Sequence, residues 1–280
     1  VNILPIEPEE TINTVMPMPE DETSWADLNV MFATASGNVR RNNLSDFTNI
    51  KRNGKIAMKL QDGDDLVGVL PCSDDDDVLM ATRNGKAIRF AANAVRVFRG
   101  RDSTGVRGIR LLGDDRVVSM SIIADEEKEF ILSVTENGYG KRTPVNDYRQ
   151  SGRGGQGVAN IETSKRNGKV MASFAVVEED QLMLVTNMGQ IIRIRVHGGE
   201  GDSIRIASRK TQGVRLFDVA DDDSEKVVSA GLIRETESDD DDLDEGNLDN
   251  ENGADTQAGS VDSDPAAQPT TADTADDTAM

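Results

Sequence analysis

This 280-residue chain has one cysteine, Cys72, and one histidine, His197. A lone cysteine excludes an internal disulfide framework and any multi-cysteine metal site, and it suits a reducing compartment. A lone histidine gives a triad or a metal centre little to start from. Beside Gly198-Gly199, His197 reads as an exposed loop residue. Aromatic residues make up only 4% of the chain, so the stacking platforms of single-strand nucleic-acid binders have little to be built from. No apolar run reaches the roughly eighteen residues that a membrane-spanning helix needs, and no signal-peptide pattern is present. Long stretches of 3.6-residue periodicity are also missing, which argues against extended amphipathic helices.

Positive charge is unevenly distributed. Residues 235–280 contain no Lys or Arg but sixteen of the 51 acids, so residues 1–234 hold all 31 basic residues against 35 acidic ones. The formal net charge of −20 therefore belongs largely to the C-terminal segment, and it does not exclude a polyanionic partner for the rest. With Asp239-Asp240-Asp241-Asp242 and few large apolar side chains, 235–280 cannot bury enough surface to offset its ordering entropy. It is expected to be a disordered acidic tail. Two roles fit it: keeping the chain soluble, or occupying a basic surface when no polyanion is bound.

What is present is a repeat. Thr-x-x-Gly-x-x-x-Arg occurs at Thr34 to Arg41, Thr82 to Arg89, Thr135 to Arg142 and Thr186 to Arg193, with the glycines 48, 53 and 51 residues apart. A long, nearly constant period marks an array of supersecondary units. Each unit opens with an apolar, β-prone run such as Asp77-Val-Leu-Met-Ala-Thr82, turns at a polar pair plus Gly, and continues with the arginine-bearing run. Arg-x-x-x-Gly-Val follows in three units, ending at Val106, Val158 and Val214, and a shorter version surrounds Arg52-Asn53-Gly54 in the first. Another apolar run, such as Val117-Val-Ser-Met120, closes each unit. Short strands separated by Gly turns predict an all-β chain, and about fifty residues per unit fits one four-stranded propeller blade. We therefore expect four complete four-stranded blades over 21–234. Residues 1–20, where Glu10 to Met16 read like a closing strand, are expected to be the remnant of an upstream unit.

No catalytic or metal-binding constellation emerges. Gly152-Arg-Gly-Gly-Gln-Gly157 lacks the Gly-Lys-Ser/Thr and helix start of a phosphate loop, and Asp74 to Asp77 lacks the spaced ligands of a calcium loop, so it reads as a solvated turn. The arginines carry more information. A basic residue at the same place in every unit lays cations along one rim, and duplex DNA is a polyanion of regular charge spacing. The candidate DNA contacts are Arg41, Arg89, Arg142 and Arg193, with Lys86, Arg101, Lys141, Arg153, Arg209 and Lys210 in the turns and second strands. Binding of this kind is phosphate-led, without sequence readout. The competing reading is that each repeat arginine pairs with a carboxylate in its own or a neighbouring blade.

Several strings carry a family resemblance: Asn29-Val-Met-Phe-Ala-Thr-Ala-Ser-Gly37, Phe98-Arg-Gly-Arg-Asp-Ser-Thr-Gly-Val-Arg-Gly-Ile-Arg110, Glu136-Asn-Gly-Tyr-Gly-Lys-Arg142 and Gly152-Arg-Gly-Gly-Gln-Gly-Val158. Over roughly 1–234 the chain resembles the C-terminal domain of bacterial DNA gyrase A. The resemblance implies a β-pinwheel whose neighbouring blades exchange strands, and duplex DNA wrapped on its outer edge during ATP-dependent negative supercoiling. It also implies a first-blade Gln-Arg-Arg-Gly-Gly-Lys-Gly motif, of which Ser151 to Gly157 is a degenerate copy, and a catalytic tyrosine in an upstream domain. Tyr139 and Tyr148, expected in blade turns, do not match that tyrosine. By the same resemblance no cofactor belongs to this chain, since ATP and Mg2+ would be handled by gyrase B and the cleavage core. The partners would be DNA, the rest of gyrase A, and gyrase B in an A2B2 heterotetramer, in the cytoplasm. The corresponding domain of the related topoisomerase IV and a propeller-like protein-interaction scaffold are the alternatives.

Overall fold

Four hairpins built on the Thr-x-x-Gly turns frame the molecule. In each, the Thr carbonyl accepts the Gly N–H at 3.0–3.1 Å, and the glycines take φ of +74° to +89°. That region is open to Gly at no steric cost, which is why the turn ends in this residue. The structure is a computed structural model that describes residues 12, 15–16, 18, 20–48, 54–199, 203–219 and 224–234. By contacts the chain divides into Val1–Thr236 and Glu237–Met280; the second unit, and with it the expected acidic tail, lies outside the described residues. So does most of 1–20.

The first hairpin joins β1 (Asn29–Thr34) to β2 (Asn38–Asn43), and β3 (Leu66–Cys72) pairs antiparallel with β1. The second unit repeats this with β4 (Asp77–Thr82), β5 (Lys86–Ala91) and β7 (Val117–Ile123), after the short β6 (Val106–Arg107). The third has β8 (Phe130–Thr135), β9 (Tyr139–Pro144), β10 (Val158–Ala159) and β11 (Val170–Val176). The fourth has β12 (Gln181–Thr186), β13 (Ile191–Arg195), β14 (Val214–Arg215) and β15 (Val227–Ile233). The all-β pinwheel expectation holds.

The short Gly-Val strands do not complete their own sheets. β6 pairs with β2, β10 with β5 and β14 with β9, so each of the first three sheets receives its fourth strand from the following unit. Two-residue strands hold this position because the preceding glycine lets the chain press against its acceptor. A Cβ on Gly105 would sit 2.2 Å from the Val39 carbonyl oxygen, and one on Gly157 would sit 2.3 Å from that of Ala87. The fourth sheet has three strands among the described residues, β13-β12-β15, and lacks the donated edge of the other three.

The closing strands β3, β7, β11 and β15 pack in that order, and the sheets stack through apolar faces. Met31, Val78, Met80 and Phe90 join the first and second blades; Leu79, Ile123, Ile131 and Tyr148 join the second and third; Leu132, Val134, Leu182 and Leu184 join the third and fourth. Every residue of β4 is buried, which explains why its sequence is a continuous apolar run instead of an alternating one. Each large apolar side chain so buried contributes about 2 kcal/mol. On the far side of the first blade, Val30 and Phe32 are covered by Trp25, Leu44 and Met58.

Candidate nucleic-acid interface

The repeat arginines are drawn into the blade junctions. Arg41, Arg89 and Arg142 are buried, and each lies in a parallel bridge to the next unit, at Val97, Gln150 and Ile206 respectively. Each also meets an acid on the loop after its own closing strand: Asp74 at 2.5 Å, Glu126, and Glu178 at 3.4 Å. The first residue of the unit supplies a second partner. Arg89 Nε donates to Asp77 at 2.6 Å, Arg193 Nε donates to Gln181 at 2.5 Å, and the Arg142 guanidinium lies 5.1 Å from the Phe130 ring centre. In the first unit that residue is Asn29, and Arg41 Nε is buried without a hydrogen-bond partner. Burial works against the Arg89 charge, but its hydrogen bonds to Glu126 and Asp77 outweigh it and raise the pKa.

Solvent-facing cations are therefore not found at Arg41, Arg89 and Arg142, because ion pairing and the next unit enclose them. The same correction applies to Lys141, which is wholly buried and donates to Thr143 Oγ1 at 2.9 Å and to the Ser208 carbonyl at 2.6 Å. Burial depresses its pKa to about 8. Asp74 to Asp77 begins as the expected solvated turn, with Asp74 and Asp75 exposed at a bend, but Asp74 and the buried Asp77 are also counter-charges of the repeat arginines, and Asp76 accepts the Ser73 N–H at 2.6 Å. Arg193, with no following strand beside it among the described residues, is exposed, as are Lys86, Arg153 and Lys210. Arg101 and Arg209 are half-buried and donate to the carbonyls of Ile56 and Ala159. Arg153 donates to those of Ala94 and Arg107 at 3.1 and 3.2 Å. His197 is exposed, with Nδ1 2.6 Å from Ser203 Oγ. Tyr139 opens β9 and Tyr148 follows a 3-10 turn, and both are buried. Among the described residues no three His, Cys, Asp or Glu side chains are grouped to hold a metal ion.

The exchange segments form a further basic surface. They run along the sheet edges opposite the closing strands, over 96–107, 149–157 and 205–215, and contain ten Arg and Lys against one acid, Asp102. Arg96, Arg99, Arg107, Arg149, Arg205 and Arg215, which the repeat pattern did not single out as contacts, are exposed here. Their position does recur: Arg96, Arg149 and Arg205 each precede the residue that bridges the repeat arginine, Val97, Gln150 and Ile206, and Arg107 and Arg215 each follow a Gly-Val pair.

A fourfold period of hairpins with edge strands passed from unit to unit defines a strand-exchanged, propeller-like array, a β-pinwheel. The chain belongs to the family described as "DNA gyrase C-terminal domain, beta-propeller", whose model matches residues 28–73, 76–124, 129–176 and 180–234. The DNA gyrase A protein of Rickettsia bellii (strain RML369-C) is 40% identical over 285 residues, covering 85% of this chain and 31% of that protein. That of Salmonella typhimurium (strain LT2) is 44% identical over 245 residues, covering 87% and 26%. The chain thus spans less than a third of the length of these relatives. Among solved structures, a DNA gyrase A C-terminal domain superposes with TM-score 0.64 at 27% identity, covering 75% of this chain and 67% of that one. The C-terminal domain of a DNA topoisomerase IV superposes with TM-score 0.72 at 24% identity, covering 83% and 69%, a likeness of fold. No helix among the described residues is long and apolar enough to cross a membrane.

Proposed function

We propose that this chain binds duplex DNA without sequence preference along the basic exchange segments, bending it as the accessory domain of a gyrase A protein. The observation that carries this reading is the charge of those segments, ten cations to one acid on the outer sheet edges, in a body whose other residues carry 21 cations against 34 acids. Phosphate-led contacts need no particular base, and cations repeated from blade to blade offset the cost of bending the duplex. On this reading the work is done in the cytoplasm with the rest of gyrase A and with gyrase B, which together engage ATP and Mg2+. The chain itself binds and shapes DNA and catalyses nothing.

The test is titration of random-sequence duplex from 50 to 200 mM salt. Several phosphate contacts predict a steep linear fall of log affinity with log salt, and charge reversal at Arg153, Arg205 and Lys210 flattens it. A salt-independent affinity, or acidic proteins binding as well as DNA at equal charge, favours the interaction-scaffold alternative and sinks this reading.

A further inference from the structure

We propose that a cleft of about 480 Å³ between the first and second blades, floored by Arg40 and walled by Arg96, Phe98 and Arg99, binds one backbone phosphate of the duplex. The inference rests on the DNA-binding reading above and assigns it a fixed contact. Arg40 precedes the repeat arginine on β2 and its side chain is fully buried. Its Nε donates to Asn42 Oδ1 at 2.8 Å, and its Nη1 donates to the Ser103 carbonyl at 2.6 Å and hydroxyl at 3.1 Å. These are neutral acceptors. Among the described residues no carboxylate lies within ion-pair distance of Arg40, Arg96 or Arg99, whereas Arg41, Arg89 and Arg142 all have one.

A buried guanidinium cannot shed its charge, so it needs an anion. Burial works most strongly against the Arg40 charge; Asp102, an exposed acid that also lines the cleft, and Asp46 favour it only at a distance, and Arg101 and Arg96 oppose them. The Phe98 ring fixes the geometry. Its centre lies 4.9 Å from the Arg40 guanidinium carbon and 4.1 Å from that of Arg96, so two cations converge on one buried ring. A phosphate entering beside exposed Arg99 meets the exposed Arg96 guanidinium over the Phe98 ring and, at the floor, Arg40 Nη2, whose sister nitrogens are already engaged within the protein. The equivalent positions in the other units sharpen the contrast. Ile88 and Ile192 are apolar, and Lys141, although buried alike, sheds its proton near pH 8. The first junction alone carries a permanent buried cation at this position.

The experiment follows the Arg40 Nε–H resonance, identified by its loss in Arg40→Lys, during titration with a duplex of about 24 base pairs and, separately, with inorganic phosphate. Salt dependence of duplex binding is measured for Arg96→Ala, Arg40→Met and the control Lys128→Ala, whose side chain is 79% exposed on the β7–β8 loop. The duplex is expected to shift the Arg40 resonance. Arg96→Ala and Arg40→Met should each lower the magnitude of the log–log salt slope by about one, with Lys128→Ala unchanged. If Arg40→Met does not fold, Arg96→Ala and the resonance still decide. Duplex binding with unaltered slopes and a static resonance overturns the pocket and spares the DNA reading. A shift with inorganic phosphate but not with duplex overturns the backbone assignment. Absence of duplex binding by the parent chain overturns both.

Discussion

Asp77 and Arg89 sit on paired strands with Oδ2 and Nε 2.6 Å apart, and both side chains are only 7% exposed. The pair also reaches across the junction, because Gln150 donates to the other Asp77 oxygen at 2.7 Å while Arg89 donates to the Val145 and Tyr148 carbonyls at 3.3 Å. One ion pair thereby fastens the second blade to the third.

Asp77→Asn leaves Arg89 buried beside a neutral partner, and we expect a loss of about 3 kcal/mol. Glu126, also bound to Arg89 but 53% exposed on its own side, should cost less than about 1 kcal/mol as Glu126→Gln. Urea unfolding of both variants measures this. Equal effects would show that burial does not set the strength of the pair.

Lys141 predicts a rise of stability with pH. Below pH 8 both folded and unfolded chains hold its proton, and the penalty of the buried charge is present in full. Between about 8 and 10.5 the folded chain has shed the proton that the unfolded chain keeps, so unfolding becomes harder as pH rises. The gain is roughly 3 kcal/mol at most. Lys141→Met should remove this component. Denaturation of both proteins across pH 7–10.5 gives the difference curve, which isolates Lys141 from Tyr148 and Cys72.

The Cys72 thiol is 3% exposed, and burial pushes its pKa up to about 12. An aromatic disulfide reagent at pH 8 should leave it unmodified in the native chain and react within the dead time in urea. Rapid native labelling would place the β3 edge in an opening equilibrium far below global stability.

Gly157→Ala should cost about 3 kcal/mol, since its φ is +71° and a methyl group would lie 2.3 Å from the Ala87 carbonyl oxygen. Gly63→Ala, at φ +76° with open space around it, should cost only about 1 kcal/mol. A ratio near one in chemical denaturation would mean that backbone strain, and not strand docking, dominates at both sites.

Much of the fold is visible in the order of residues. The turn chemistry of Thr82-Arg-Asn-Gly85 and the apolar runs on either side are local, and local pairing produced β4 and β5 where they were expected. Strand donation is not local: Val106 pairs with Val39, 67 residues earlier, and nothing in the Gly-Val dipeptide names its acceptor. The burial of Arg40 and Lys141 was hidden for the same reason, their acceptors Ser103 and Ser208 lying 63 and 67 residues away. The pairing of the repeat arginines did leave a trace. Asp74, Glu126 and Glu178 all fall within three residues of a closing strand, an acid recurring as regularly as the arginine it faces.

Because Val106, Val158 and Val214 each finish the sheet before their own, the unit of sequence and the unit of folding are out of phase by one strand. A cut made between periods, for example before Gln181, strips the edge from the sheet of β8 and β9 and leaves two damaged modules. A cut made after Arg215 leaves that sheet whole but parts β15 from β12 in the next. Every cut between β1 and β15 therefore severs a sheet, at the period through the donated edge and after the Gly-Val dipeptide through the closing strand, so the blades of such a chain are not independent pieces.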